Sequence, residues 1–293
     1  MIENEGYDSR MSERRLDPNL QISVLMLAKN KEKYLGQAAL SVLEDRGVQL
    51  VLIEPGSIDD SRKICEKFKR ERTGQVSLIT KSDKSASEGL NNGLNVARGS
   101  IVGVLNGDDV YLPGALGHVS NYFMRNPQVD VLLACGFLIN ENSGKWKFVL
   151  PSKISKKALG LGQHGSLTFF HQGMFYRKDK FPKVRFNPGN RINWDKEFLI
   201  ELWTQGARFG YCDIPVAIFR LNNDSITSRG FSKASLDANT AELDRLLQFD
   251  SNSFFAPILG LFFRISKAFF LARHTLKIHT SSFQMSETIS ENQ

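Results

Sequence analysis

Short β-rich segments alternate with longer amphipathic segments from residue 21 to about residue 109, and this alternation limits the possible folds more than any other feature. The predicted elements are strands 22–28, 50–53, 76–80 and 101–105, separated by helices 34–44, 59–69 and 87–97. Repeated β-α-β units predict an α/β fold, with a mostly parallel sheet covered by helices on both faces. Ligands of such sheets bind outside the carboxyl ends of the strands, so the loops that follow the four strands are expected to converge.

The second half of the chain is less regular but extends the same unit. It predicts helices 113–124 and 194–205, strands 129–135 and 174–176, a hairpin-like polar stretch 140–145, and two apolar runs, 209–214 and 216–221. With 293 residues, the chain is long enough for one large domain. The expected organisation is a flexible polar segment 1–20, an α/β domain 21–230, a helical connector 231–253, a basic helix 254–278 and a flexible tail 279–293.

Cysteine spacing and the N-terminal sequence favour a cytoplasmic protein. The three cysteines, Cys65, Cys135 and Cys212, are far apart and fit neither a disulfide framework nor a zinc site. Residues 1–20 contain no apolar core of the kind that a secretory signal needs. The net charge of +7 suggests anionic partners, but a general nucleic-acid footprint is poorly supported, and no nucleic-acid partner is expected.

Residues 254–278 form the most unusual segment of the C-terminal part. On a helical wheel one face is apolar: Phe254, Ile258, Leu261, Phe262, Ile265, Phe269 and Leu276. The opposite arc is basic: Arg264, Lys267, Arg273, His274 and Lys277. Two of these charges would lie near the centre of a spanning helix, where they are costly, so a helix lying in the interface of an anionic membrane is favoured. The alternative is a helix packed on its own domain or on a second subunit.

Two adjacent carboxylates, Asp108 and Asp109, follow the fourth predicted strand in the sequence Val-Leu-Asn-Gly-Asp-Asp. Paired acids at the carboxyl end of a strand are typical of a site where Mg²⁺ or Mn²⁺ bridges two phosphates, because these hard cations prefer oxygen ligands. The same sequence is also compatible with an ordinary surface turn.

Several motifs in one order resemble family 2 glycosyltransferases with the GT-A fold, especially bacterial enzymes of lipopolysaccharide and exopolysaccharide biosynthesis. ISVLMLAKNKEKYLGQAALSVL resembles the first strand, nucleotide loop and helix of that family, and IEPGSIDDSRKI resembles its acidic turn. SDKSASEGLNNGLNVARGSIVGVLNGDD resembles the run into its Asp-X-Asp metal motif. HQGMFYRKDKF and RINWDKEFLIELWTQG resemble its acceptor-side segments. The resemblance covers residues 21 to about 230 and does not identify the sugar that is transferred.

The resemblance implies a set of donor-binding residues. Those that map to nucleotide-sugar loops are Ala28, Asn30, Glu54, Asp83, Asn106 and Asp108. Glu54 and Pro55 stand where the family usually has two aspartates, so Glu54 would have to take the base contact, or it is only a charged turn residue. Asp83 is interpreted as a ribose or base contact, with a salt bridge to a nearby lysine as the alternative.

The metal motif departs from the family at one position. Asn106 stands where the family often has the first aspartate, and this lowers the negative charge available to a cation. Asp108 is the expected direct ligand of Mn²⁺ or Mg²⁺. Asp109 either binds the metal as well or braces the turn.

The acceptor side is expected to supply the catalytic base. Asp195 matches the aspartate that opens the acceptor-side helix of the family, with Glu197 in reserve, although an aspartate at a helix start is also a common N-cap. His171 and Gln172 match a pair that faces the acceptor or the sugar, but a structural histidine is the alternative. Trp194 either packs in the core or stacks on a sugar ring.

Together these features predict a metal-dependent, inverting glycosyltransferase at the cytoplasmic face of the cell membrane. Its donor would be a nucleoside diphosphate sugar, and its acceptor a hydroxyl of a saccharide or of a lipid-linked or growing polysaccharide. The oligomeric state is left open. The alternatives are a sugar nucleotidyltransferase, which a glycine-rich early loop would favour, and a non-catalytic membrane-docked binder of nucleotide sugars.

Overall fold

A computed structural model describes residues 22–45, 47–161, 168–222 and 233–249, together with the single residues 257, 258, 261 and 265. The expected segments 1–20 and 279–293 lie outside the described residues. So does nearly all of the expected basic helix 254–278. The connector 231–253 contains one described helix, α7 (Lys233–Leu247).

One nine-stranded sheet organises the described chain. Its strands are β1 (Ile22–Leu27), β2 (Val48–Ile53), β3 (Val76–Ile79), β4 (Ile101–Asn106), β5 (Val110–Tyr111), β6 (Val131–Asn140), β7 (Lys145–Val149), β8 (Met174–Arg177) and β9 (Phe209–Leu221). The strand order is β3-β2-β1-β4-β8-β6-β9-β5, and β7 pairs with β6. Strands β1 to β4 are mutually parallel, which confirms the prediction from the β-α-β alternation.

Six further helices cover the sheet: α1 (Glu32–Leu43), α2 (Ser61–Glu71), α3 (Ala86–Val96), α4 (Ala115–Arg125), α5 (Lys156–Gly160) and α6 (Trp194–Thr204). Two buried cores result, one on each side of the sheet. Alternate residues of β1 separate between them: Val24 and Met26 pack with α1, whereas Leu25 packs with α3 and α6. This alternation follows from the period of two along a strand.

The second half adds antiparallel pairs to the parallel unit. Strand β8 lies between β4 and β6 and is antiparallel to both, while β6 and β9 are parallel. The two apolar runs predicted at 209–214 and 216–221 are one strand, β9. Its register against β6 shifts beside Cys135, where Pro215 is the partner. A proline has no N–H to donate, so it is tolerated at such an irregularity.

Among the described residues, none of the helices combines the length and the apolar character that crossing a bilayer would require.

Candidate active site at the carboxyl edge of the sheet

The loops after β1 and β4 approach each other closely. The Gly107 N–H donates a hydrogen bond of 2.8 Å to the Leu27 carbonyl. A Cβ at position 107 would lie 3.0 Å from that carbonyl oxygen and 3.2 Å from Lys31 Cβ. A side chain at position 107 would therefore push against the first loop, and the close approach of the two loops brings Asp108 next to the start of α1.

The loops after β1 and β2 are joined through Asn30. Its N–H donates to Ser57 Oγ over 2.9 Å, and its side-chain oxygen accepts from the Ile58 N–H over 3.0 Å. Asn30 has a positive φ of 53°, a conformation that asparagine adopts more readily than most residues. Ala28 is fully buried and donates its N–H to the Ile53 carbonyl. The loops at the strand ends therefore converge, as the sequence predicts.

Glu54 is buried inside the second loop. One carboxylate oxygen accepts from the N–H groups of Gly56 and Ser57, at 3.1 and 2.5 Å, and the other lies 3.3 Å from Arg62. Burial raises the pKa of Glu54, but these hydrogen bonds outweigh it, so the net shift is downward. Both oxygens are thus engaged in holding the turn, which favours the interpretation of Glu54 as a turn residue.

Asp83 lies in the loop just before α3 and is partly exposed. A Cβ at position 89 would be 2.5 Å from Asp83 Oδ2, so Gly89 leaves the space that this carboxylate occupies. Within the described part of the chain, the Asp83 carboxylate accepts no hydrogen bond. Burial raises its pKa, while the nearby charge of Lys29 acts in the opposite direction. Asp83 therefore keeps its acceptor oxygens available at this edge of the sheet.

Asp108 is buried and pairs with the Lys31 ammonium. The Asn222 amide lies 3.4 Å from the same carboxylate oxygen. This pairing joins the β4 loop to the residue that precedes α1. A buried carboxylate without a counter-charge would be costly, and Lys31 supplies that counter-charge.

Asp109 is fully buried and connects three parts of the chain. Its carboxylate accepts from Gln172 Nε2 at 2.6 Å, from the Arg220 N–H at 2.8 Å and from Asn106 Nδ2 at 3.0 Å. Burial, and then the charge of Asp108, raise its pKa above the ordinary value for an aspartate. Of the two roles considered for Asp109, these contacts favour bracing the turn.

Arg220 supports the same edge from β9. Its guanidinium donates to the Asp108 carbonyl over 2.9 Å and to Gln37 over 2.6 Å. It also lies 3.8 Å from Glu141 and above the ring of Tyr34, 5.3 Å from the ring centroid. A second arginine, Arg177 at the end of β8, instead donates to the backbone carbonyls of Val129 and Phe123. Arg220 is thus the arginine that touches the carboxylate loop.

His171, Asp195 and Trp194 lie together on the acceptor side. His171 Nδ1 is 3.8 Å from Asp195 Oδ2, and its ring is 5.1 Å from the Trp194 ring. His171 Nε2 is buried and has no hydrogen-bond partner among the described residues. Trp194 also contacts Phe186 at 5.6 Å and is buried, which favours its packing role. Since Gln172 follows His171 in the chain, its bond to Asp109 links this group to the carboxylate loop.

Asp195 and Glu197 differ in how their oxygens are used. The N-cap of α6 is Asn193, so Asp195 lies inside the first turn and is not the cap. Its Oδ1 accepts from the Lys196 N–H at 2.9 Å, while Oδ2 faces His171. Both Glu197 oxygens instead accept from the side-chain amides of Asn187 and Asn190, at 2.8 and 2.6 Å. Asp195 is therefore the more available carboxylate of the two.

The residues present fit a cation held by one carboxylate. Among the described residues there is no group of three or more His, Cys, Asp and Glu side chains arranged around a metal position. Mg²⁺ commonly uses one or two carboxylates together with substrate phosphates and water. Asp108 fits this pattern as a single protein ligand, provided that the Lys31 ammonium moves aside. The Asp109 oxygens are already engaged by Gln172, Arg220 and Asn106.

A family model described as "Glycosyl transferase family 2" matches residues 23–185, more than half of the chain. The matched residues run from β1 through β8 and include the converging loops. The chain belongs to glycosyl transferase family 2. This confirms the family expected from the sequence motifs.

Curated relatives match this chain over part of their own, longer sequences. The chain is 26% identical over 197 residues to the minor teichoic acid biosynthesis protein GgaA of Bacillus subtilis, covering 64% of this chain and 44% of GgaA. It is 24% identical over 224 residues to GgaB of the same organism, covering 74% of this chain and 25% of GgaB. The chain thus spans less than half the length of these two relatives.

Solved structures confirm the fold. Residues 1–349 of S. aureus TarS, in a complex with UDP-GlcNAc, superpose with a TM-score of 0.62 at 16% identity, covering 78% of this chain and 65% of that one. At this identity the likeness establishes the fold alone. The expectation of a GT-A-like α/β sheet flanked by helices is therefore confirmed for this member of the family.

The sequence motifs did not single out Lys31 as a site residue. Only its position in the sequence could have indicated a role. Lys31 lies just before the helix that follows the first strand, in one of the loops that meet at the carboxyl ends of the parallel strands. Arg220 has no local sequence signal that distinguishes it from other arginines, and only its long-range contacts identify it.

Proposed function

We propose that this family 2 glycosyltransferase moves a sugar from a nucleoside diphosphate sugar to a hydroxyl of a saccharide or lipid-linked acceptor, with inversion at the anomeric carbon. One observation supports this most directly: Asp108 and Asp195 belong to segments joined through the bond between Gln172 and Asp109. In this proposal, Asp108 is the donor-side carboxylate and Asp195 the acceptor-side carboxylate, and the contact between their segments supports placing them near one another. A single displacement requires that arrangement.

The donor would bind across the loops after the first four strands. Asn30 and the second loop form the wall of the nucleoside pocket, and Asp83 supplies free acceptor oxygens for ribose or base hydroxyl and N–H groups. Lys31 lies beside Asp108 and is available to pair with diphosphate oxygens. Asp108, with Asn106 nearby, would hold Mn²⁺ or Mg²⁺. When bound, the cation neutralises charge that develops on the leaving diphosphate.

Asp195 would act as the general base. The acceptor oxygen attacks the anomeric carbon, the bond from that carbon to the diphosphate breaks, and the hydroxyl proton passes to Asp195 Oδ2. The nucleoside diphosphate leaves with the bonding electron pair. His171 stands 3.8 Å from the same carboxylate oxygen, so it is placed to orient Asp195 and to accept contacts from the acceptor. Glu197 holds the loop of Asn187 and Asn190 in this proposal.

The C-terminal segment would keep the catalytic domain beside an amphiphilic acceptor at the cytoplasmic face of a membrane. Ile258, Leu261 and Ile265 are helical and 59, 50 and 60% exposed. Their spacing places them on one helical face, and the sequence around them supplies basic residues for anionic headgroups. The variant with Asn at these three positions should lose binding to vesicles that contain anionic lipid while it keeps donor binding.

A panel of nucleotide sugars tests the proposal. Thermal unfolding is measured with each donor, with and without Mn²⁺, in the wild-type chain and in Asp108→Asn. We expect a metal-dependent rise in melting temperature with one donor, which Asp108→Asn abolishes. Stabilisation without release of nucleoside diphosphate to any hydroxyl acceptor would favour a non-catalytic binder. Release of pyrophosphate from a nucleoside triphosphate and a sugar phosphate would favour a nucleotidyltransferase.

A further inference from the structure

Positive charge is concentrated in one internal stretch of the chain. Between Glu141 and Asp179 the sequence contains no Asp or Glu but seven Lys and Arg residues. The formal net charge of the whole chain is +7, so the remaining residues carry equal numbers of positive and negative charges. Residues 142–178 therefore hold an excess equal to that of the entire chain.

Two of these seven residues serve the fold. Arg177 donates to the carbonyls of Val129 and Phe123, and Lys178 donates to that of Ala97. The other five are exposed, and within the described residues their ammonium groups have neither an ion-pair nor a hydrogen-bond partner. We call these five the lysine segment: Lys145, Lys147, Lys153, Lys156 and Lys157. Unpaired lysines in such number along one connection repel one another unless an anion lies among them.

Aromatic rings accompany these lysines on the β6–β7 hairpin. Phe137 contacts Trp146 and Phe148, with ring centroids 6.1 and 5.5 Å apart. Trp146 is 48% exposed although it stands between two lysines. The three rings belong to neither of the two buried cores. Because successive side chains of a strand point to opposite faces, Lys145 and Lys147 lie on the other face of β7 from Trp146. A ligand that wraps around β7 contacts the exposed ring on one face and these ammonium groups on the other.

The hairpin is connected to the candidate active site through Glu141. Tyr34 donates to Glu141 over 2.5 Å, and Arg220 lies 3.8 Å from the same carboxylate. Arg220 in turn donates to the Asp108 carbonyl. A chain-like ligand that lies along the hairpin therefore lies beside the edge of the sheet where transfer is proposed.

We propose that the lysine segment and the Trp146 hairpin bind a polyanionic acceptor, a polymer with repeated phosphate groups, and guide its hydroxyl to the site of transfer. The role of the bound polymer as an acceptor rests on the proposed function. The charge complementarity argues for a polyanion, and lysine is a common point-charge binder of phosphate. The exposed rings argue for an organic chain, whose carbon backbone can pack against them. The alternative ligand is a membrane surface with anionic lipid headgroups, and the experiment must distinguish binding of the polymer from binding of that surface.

Binding of a labelled poly(glycerol phosphate) oligomer to the full chain, without donor, tests this inference. The comparison set is neutral dextran of similar length, vesicles with anionic lipid and neutral vesicles. In the variant with Gln at all five positions of the lysine segment, we expect the affinity for the polymer to fall about tenfold or more at about 50 mM salt. Trp146→Ala should weaken polymer binding further without changing its salt dependence.

A matched variant controls for net charge. Lys67→Gln, Arg70→Gln and Arg72→Gln remove three exposed charges from α2 and its end, and are compared with Lys153→Gln, Lys156→Gln and Lys157→Gln. Equal loss of polymer binding in both triple variants would overturn the inference, as would loss of vesicle binding alone in the lysine-segment variants. Donor-induced stabilisation, measured on the same samples, reports on the proposed function separately, because no lysine of the segment lies in the donor loops.

Discussion

Gln172 donates a hydrogen bond of 2.6 Å to the fully buried carboxylate of Asp109. The two residues are 63 positions apart, and one belongs to the acceptor-side segment while the other follows β4. This bond therefore joins the segment that contains His171 to the loop after β4.

Truncation of Gln172 should destabilise the protein. Gln172→Ala leaves a buried carboxylate oxygen with one donor fewer, and we expect a loss of about 1–3 kcal/mol in the free energy of unfolding. Urea denaturation measures this value. Gln205→Ala, which removes a contact on the surface of the same chain, should change stability by less than about 0.5 kcal/mol. Equal effects of the two substitutions would remove the structural role assigned to Gln172.

Asp109 should give the protein a specific pH dependence. Burial, and then the charge of Asp108, raise its pKa in the folded state, so the folded protein binds this proton more tightly than the unfolded chain. The stabilisation from this group is complete below the unfolded pKa and is lost as the pH rises through the folded pKa. The stability of Asp109→Asn relative to wild type should therefore increase with pH across that window.

Urea titrations of the two proteins from acid to neutral pH check this difference. Glu54 and Asp130, whose net pKa shifts are downward, titrate alike in both proteins and cancel. A constant difference across the window would show that Asp109 has an ordinary pKa.

Lys31 should matter for stability as well as for donor binding. Lys31→Met leaves the buried Asp108 carboxylate without its cation, and we expect a loss of about 1–3 kcal/mol. Thermal denaturation at neutral pH, compared with Lys29→Met at the exposed neighbouring position, measures it. If both variants have the same melting temperature, the pair between Lys31 and Asp108 contributes no net stability.

Glu197 is expected to stabilise the fold and not to take part in the transfer reaction. Glu197→Gln replaces one acceptor oxygen by an amide that faces another amide, so about 1–3 kcal/mol of stability should be lost. The control is Glu201→Gln on the same helix, at a partly exposed position whose carboxylate accepts a single side-chain hydrogen bond, from Gln205. The rate of transfer per folded molecule should remain near that of wild type. A large loss of turnover in a protein of wild-type stability would instead make Glu197 the base.

Local sequence patterns predicted much of the fold. The β-α-β alternation specified the parallel core, because strands buried on both faces are continuous apolar runs and their crossover helices are amphipathic. Strand β5 has only two residues and β7 is mostly exposed, so neither gives a period that a sequence pattern can detect. The continuity of β9 was missed because Pro215 interrupts its apolar run.

The candidate site divides in a similar way. The strand-end rule predicted that the loops of Asn30, Glu54 and Asp108 would meet, and they do. The use of individual oxygens was not predictable, since it depends on partners that are distant in the chain, such as Gln172 and Arg220 for Asp109. Only the three-dimensional structure distinguishes Glu54 and Glu197, whose carboxylate oxygens are engaged in hydrogen bonds, from Asp83 and Asp195, which have an oxygen available for a ligand.

Turnover of the identified donor by Asp195→Asn is the most direct measure of whether two carboxylates at one edge of the sheet carry out the transfer. Donor affinity by calorimetry and release of nucleoside diphosphate are recorded on the same preparation. We expect unchanged donor affinity and a fall in turnover of about a hundredfold or more. Full turnover in Asp195→Asn would contradict the assignment of the base and, with it, the proposed geometry of transfer.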